Sequence, residues 1–293
     1  MAQCEGTTRA GRRCSIDVRS TMADDLGRSV AAPLRCGAPC CLLHARPFAS
    51  KPVLPEGELL IVFLDLEATG VDPTYDRILE IAALAVVGPS SAAFSTVVHV
   101  DADSLRRRGS RAEEIHGISA EESALGPSFA SAWHRLVAFV EHLVNSALDQ
   151  EDTESYDGEP CLPRIADEPP TILVAAHNGV RYDFCMLLFE CARNGVATKH
   201  LSQWLFLDTL AVVSAMPASF HGGCMKLQCL ARGSVAAQDA RAHRALDDCV
   251  VLHDVMRDAA SLLGVSLSEL FRHFALRFDE ATSAVYVDAL RST

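Results

Sequence analysis

Residues 59–70 read LLIVFLDLEATG: six apolar residues run straight into Asp65-Leu66-Glu67 and a Thr69-Gly70 turn. An unbroken apolar run of this length marks a strand covered on both faces. Side chains alternate across a strand, so Asp65 and Glu67 share one face. Two carboxylates beside such a core repel each other and are poorly hydrated unless a cation joins them. A D-x-E pair also occurs on solvated strands, but the buried run before it favours a metal site.

Outward from this strand the apolar pattern repeats. ILEIAALAVV (78–87) predicts a second strand, and the more alternating AFSTVVHV (93–100) a third, half-exposed one. Residues 128–148 place Trp133, Leu136, Val137, Val140, Leu143 and Val144 at helical spacing. TILVAAH (171–177) and QWLFLDT (203–209) read as strands four and five. Helices are predicted at 183–195, stopped at Asn194-Gly195, and at 242–264, stopped by glycine. SLSELFRHFALRF in the tail predicts one more amphipathic helix. Three consecutive strands imply antiparallel hairpins, and the alternating part implies parallel crossovers. The expected fold class is α/β, a mixed five-stranded sheet flanked by helices.

Domain organisation follows from composition. Residues 1–48 are rich in Cys, Arg, Gly and Ser; residues 49–57 carry two prolines and read as a linker. The main domain spans 58–264, with an acidic insert at 149–168 and a helical tail at 265–293. The insert holds eight acids and one arginine, a net of −7, whereas residues 1–48 carry seven arginines and four acids, a net of +3. The overall charge of −12 therefore says little about partners. No apolar run reaches the ~18 residues that span a bilayer, and the N-terminus does not read as a secretory signal. The expectation is an intracellular protein, nuclear or cytoplasmic, with no membrane association. Its eleven cysteines then call for metal or burial rather than disulfides.

Three further residues join the first pair. Asp183 follows TILVAAH and the turn NGVRY, at the end of a parallel-type strand where α/β sheets place their sites. Helix N-capping is its common alternative role. His177 and Asn178 sit at the same edge. His243 and Asp248 open the last long helix. Helical spacing alone would pair His243 with Asp247, four residues on, so the residues leave both acids open.

The ordered set D-x-E, H-N…D and H-x4-D resembles the DEDD superfamily of 3′-to-5′ exonucleases in its histidine-bearing (DEDDh) branch. FLDLEATG and AHNGVRYDF are most similar to the three-prime repair exonucleases, and EIHGIS (114–119) resembles the family's H-G-I segment. The resemblance covers roughly residues 59–262 and implies a ribonuclease H-like sheet. It selects Asp248 over Asp247. It further implies two magnesium ions, with manganese as a substitute, held by Asp65, Glu67, Asp183 and Asp248. His243 would be the general base. Ala68, Thr69, Ile118, Asn178 and Tyr182 would contact substrate; turn, core or structural roles are the alternatives at these positions. Arg106, Arg107, Arg108 and Arg111 are candidate phosphate contacts. The implied partners are single-stranded DNA or RNA 3′ ends, and a homodimer through an edge strand. The implied product is a nucleoside 5′-monophosphate, with DNA favoured. An RNA-trimming exonuclease, or a non-catalytic protein that binds nucleic-acid ends, is the alternative.

Residues 1–48 lack the apolar content to fold on burial alone. CEGTTRAGRRC…CLLH resembles small zinc-binding modules, with Cys4, Cys14, Cys41 and His44 as a Cys₃His set. Cys36 or Cys40 could replace Cys41, and an arginine-rich tail with free thiols is the alternative. The cysteines at 161, 185, 191, 224, 229 and 249 lack ligand spacing as a set, and most of them are expected to be packing residues.

Overall fold

The computed structural model describes residues 32–33, 39–40, 57–87, 90–108, 111–148, 169–231 and 244–278. Cys4, Cys14, Cys36, Cys41, His44, Cys161, the whole 149–168 insert and the end of the tail lie outside the described residues. The side chains of Cys40, Arg106, Arg107, Arg108 and Arg111 are likewise outside them.

β1 (Ala32–Pro33) and β2 (Pro39–Cys40) form a short antiparallel pair. The main sheet contains β3 (Leu59–Ala68), β4 (Ile78–Val87), β5 (Ser90–Val97), β6 (Thr171–Ala176), β7 (Leu205–Asp208) and β8 (Leu276–Arg277). Its strand order is β5-β4-β3-β6-β7-β8. The β5/β4, β4/β3 and β7/β8 pairs are antiparallel, and β3/β6 and β6/β7 are parallel. Between β5 and β6 run α1 (Ala102–Arg108), α2 (Arg111–His116), α3 (Ala120–Leu125) and α4 (Phe129–Leu148). α5 (Asp183–Arg193) and α6 (Lys199–Gln203) connect β6 to β7. α7 (Thr209–Ala215), α8 (Ala218–His221), α9 (Leu227–Leu230), α10 (Ala245–Leu263) and α11 (Leu267–Arg272) precede β8.

The two-residue period of β3 divides the core. Leu60, Val62, Leu64, Leu66 and Ala68 belong to one apolar cluster, with residues of α4 and α5. Leu59, Ile61 and Phe63 belong to the other, with residues of α10 and α11. Asp65 and Glu67 continue the second series, so they face the side that α10 covers. The helix ends follow local chemistry. Ser266 and Glu269 form a capping box on α11. Gly264 takes φ 68°, a left-handed value that ends α10 at glycine's low conformational cost.

The mixed sheet flanked by helices is as expected, but among the described residues it has six strands rather than five. The sixth comes from the tail, where the expected single amphipathic helix divides into α11 and β8. Arg277 and Leu276 pair with Leu205 and Phe206 and cover what would be a bare edge of β7. Phe278 then packs its ring 6.4 Å from that of Phe206. The third strand begins three residues earlier than expected, at Ser90. The cysteine expectation also needs one correction. Cys185, Cys191 and Cys249 are free and buried, as anticipated. Cys224 and Cys229 instead form a disulfide, because the turn between α8 and α9 brings their Cα atoms to 5.9 Å.

Phe63 is fully buried on the central strand, with edge-on contacts to His253 and Phe271. Phe63→Ala should therefore cost about 3–5 kcal/mol, read as a lowered urea midpoint with unchanged slope.

Candidate active site

β3 delivers Asp65 and Glu67 to the face under α10, and the first turn of α10 carries Asp248. One ligand atom from each of these three carboxylates lies within 4.8 Å of the others. Asp247, one residue earlier, is not part of this group. The helix starts at Ala245, so position 243 precedes it, and the helical pairing with Asp247 does not govern that residue. His243 itself lies outside the described residues.

Asp183 approaches from the opposite layer. It is the first residue of α5 and is only 2% exposed. The Leu66 main-chain N–H donates to its carboxylate, which ties α5 to the strand between the two β3 acids. Its Oδ1 has no hydrogen-bond partner among the described residues. Tyr182 flanks it and has no side-chain cap bond to α5.

Crowding and burial leave these acids reluctant to ionise. Asp65 is pushed well above the carboxylate range by burial, then by the charges of Asp183, Asp248 and Glu67. Burial, followed by Asp248 and Glu80, lifts Glu67 to about 8. Burial lifts Asp183 to about 8 as well. Clustered hard oxygen donors and an orphaned buried Oδ1 are what a divalent cation of the magnesium class requires. The residues present fit such a group.

A rigid loop borders the acids. Thr69 donates its hydroxyl to Asp76 Oδ1 (3.1 Å) and its N–H to the Arg77 carbonyl (2.9 Å). Both polar groups of this candidate substrate contact are thus engaged within the loop. A Cβ at Gly70 would collide with the buried Asp76 carboxylate, so any larger residue there would have to displace it. Arg193 of α5 donates to the carbonyls of Pro73 (3.1 Å) and Thr74 (3.0 Å). Ala68 pairs with Ile78 across β4, and Tyr182 donates its hydroxyl to the Gly70 carbonyl (3.3 Å). Ile118 is buried against Leu79 and Val100.

The turn before Asp183 is held from β7. Asp208 caps α7 and also accepts the Asn178 N–H (2.9 Å), while Asn178 takes φ 63°. Asparagine tolerates that left-handed geometry better than most residues. His177 bridges Thr209 Oγ1 (3.0 Å) and the Met225 carbonyl (2.7 Å), and burial lowers its pKa. Asp208 was not recognised in the sequence, and neither were Glu80 and Arg244. Glu80 left a readable signal: a lone acid inside the apolar run ILEIAALAVV must find a partner. That partner is Arg244, 164 residues away.

Protons and cations compete for this cluster. Without metal, folded Glu67 and Asp183 keep protons up to about pH 8. The unfolded chain releases them near pH ~4. In that window the native state binds more protons, so metal-free stability falls as pH rises and the penalty is complete above about pH 8. Thermal unfolding with EDTA should show a declining Tm from pH ~5 to ~8. Millimolar Mg²⁺ should recover several degrees at the upper end and little at the lower.

Residues 62–155 match the model of the exonuclease family (RNase T). A curated relative, Exonuclease DPD1, chloroplastic/mitochondrial, of Arabidopsis thaliana, is 27% identical over 215 residues, 72% of this chain and 60% of its own. The oligoribonuclease of Paracidovorax citrulli is 54% identical over 43 residues, 15% of this chain and 22% of its own. The chain thus spans less than two thirds of either relative. Among solved structures, E. coli Exonuclease I in complex with a dT13 oligonucleotide superposes with a TM-score of 0.48 at 16% identity, covering 71% of this chain and 43% of the other. No helix among the described residues is long and apolar enough to cross a membrane. The stretch similar to the exonuclease family thus carries Asp65 and Glu67, while Asp183 and Asp248 lie beyond the matched residues.

Proposed function

We propose that the chain is a metal-dependent 3′-to-5′ exonuclease that releases nucleoside 5′-monophosphates from single strands, with DNA favoured. The observation that carries this reading is the convergence of Asp65, Glu67 and Asp248 within 4.8 Å, beside a buried Asp183 with an orphaned oxygen. The four carboxylates would hold two magnesium ions. When bound, such ions supply charge neutralisation at the phosphate and at the departing 3′ oxygen.

The protein's own groups do the rest. His243 takes the proton of the attacking water, a task suited to an imidazole that titrates near neutrality. Hydrolysis breaks the bond between phosphorus and the 3′ oxygen of the penultimate nucleotide. The phosphate stays on the released nucleotide. Tyr182, hydrogen-bonded to Gly70, fixes the gap between the end of β3 and the start of α5. Arg193 ties the 69–77 loop to α5 through the Pro73 and Thr74 carbonyls. The fixed loop and the Asp208-held turn orient the strand end, which lowers the entropic part of the barrier.

A second reading has its own support. The short, strong similarity to an oligoribonuclease favours an RNA substrate. Sugar choice would then rest on contacts to the 2′-hydroxyl. Residues 1–48 are read as a zinc module on Cys4, Cys14, Cys41 and His44, supported by ligand spacing. Elemental analysis should find one zinc per chain in the purified protein.

Matched DNA and RNA oligonucleotides labelled at the 5′ end, with and without EDTA, test the activity. The expected result is a ladder shortening from the 3′ end, abolished by EDTA and faster on DNA. Asp183→Ala and His243→Ala should each lose at least about 100-fold in rate. An internal cut, or shortening that survives EDTA, would refute the proposal. Faster RNA trimming would move it to the second reading. Full activity in Asp248→Ala with loss in Asp247→Ala would reassign the ligand on α10.

A further inference from the structure

Glu80 is a fifth carboxylate at the site, 2% exposed on β4 and directly across from Glu67 in the β3/β4 register. Its hydrogen bonds distinguish it from the other four. Oε1 accepts from Arg244 Nη2 (2.9 Å) and Ser95 Oγ (3.1 Å). Oε2 accepts from Arg244 Nε (3.0 Å) and the Ala245 N–H (3.2 Å). Four donors occupy the carboxylate's acceptor positions, so Glu80 has none left for a metal ion.

Arg244 is the other half of the device. Its planar guanidinium meets Glu80 through two parallel bonds, the strongest and most directional form of this pair. It also reaches Glu122 Oε1 on α3 at 3.3 Å. Arg244 stands at the N-cap of α10 with extended backbone (φ −112°, ψ 130°) and no side-chain cap of its own. Glu80 supplies the missing cap from another strand by taking the Ala245 N–H. Meanwhile the Arg244 carbonyl accepts the Asp248 N–H at 3.1 Å. One residue is thus anchored by its side chain to β4 and α3, bonded by its main chain to Asp248, and joined by a peptide bond to His243.

We propose that Arg244 and Glu80 are positioning residues for the reaction: their clamp fixes where the α10 N-terminus meets β3, and so places Asp248 relative to Asp65 and Glu67. The proposal rests on the exonuclease reading for its kinetic consequence, but metal binding tests the clamp independently. Glu122, held by a single longer bond, trims the geometry and ties α3, which follows Ile118, to the same point. A partner that orients a metal-site residue from behind the ligands typically contributes about 10–100-fold in affinity or activity.

The test uses the full chain in wild-type, Arg244→Met, Arg244→Lys, Glu80→Gln and Glu122→Gln forms. Mn²⁺ binding is followed by the electron paramagnetic resonance of free Mn²⁺, nucleotide release by the 5′-labelled strand, and folding by thermal unfolding. Arg244→Met should unfold cooperatively, bind Mn²⁺ about 10–100-fold more weakly and lose kcat by a similar factor. KM for the strand should stay within about threefold, because positioning does not remove a substrate contact. Arg244→Lys keeps the charge but not the paired geometry and should fall in between. Glu122→Gln should change either quantity by less than about threefold. If Arg244→Met does not fold, the intermediate values of Arg244→Lys carry the proposal, and wild-type values there sink it. A folded Arg244→Met with wild-type Mn²⁺ affinity and kcat overturns it. So does loss of a bound Mn²⁺ in Glu80→Gln but not in Arg244→Met, which would make Glu80 a ligand. An inactive wild-type protein would remove the exonuclease reading alone, leaving the Mn²⁺ titrations to decide the clamp.

Discussion

Like charges held close together in a half-buried place set the terms for this molecule. Asp65, Glu67, Asp183 and Asp248 come from three elements, and each raises the cost of ionising another. Nothing in folding favours such an arrangement for its own sake, because hydrophobic burial would place apolar side chains there. The repulsion has to be sustained by rigid surroundings and relieved by a cation. β3, central in the sheet and covered on both faces, supplies the first of these supports. The loop at 69–77, held by Arg193 and by the Thr69–Asp76 hydrogen bond, adds to the same support.

Two carboxylates that are not read as ligands do comparable work on either side. Asp208 accepts main-chain N–H groups from the turn that leads into Asp183. Glu80 does the same for the start of α10, with Arg244 as its counter-charge. Burial alone would raise the Glu80 carboxyl, but the Arg244 and Ala245 hydrogen bonds outweigh it and hold the group below its ordinary value. Glu80 therefore stays charged where its neighbours resist ionisation. Acids of one chemical type divide into ligands and anchors according to whether donors already surround them.

The fold and the site differed in how much could be read in advance. Five of the six strands of the main sheet and the long helices were legible because each has its own local period of apolar residues. The face shared by Asp65 and Glu67 followed from a two-residue spacing and needed no long-range information. β8 was missed because Leu276 and Arg277 carry too short a pattern, and only the exposed edge of β7 gives them a reason to extend. The Cys224–Cys229 bond was missed because a five-residue separation says nothing about how the intervening turn is closed.

The amino-acid sequence by itself determined the kinds of element, the chemistry of the acids and, through their ordered spacing, the family resemblance. These depend on contacts between residues near one another in the chain. Whether Glu80 is a ligand or an anchor, and what holds Asp183 in place, were decided only by the tertiary structure. Each turns on which donors arrive from distant segments, and Arg244 reaches Glu80 only after the intervening chain has folded over the sheet.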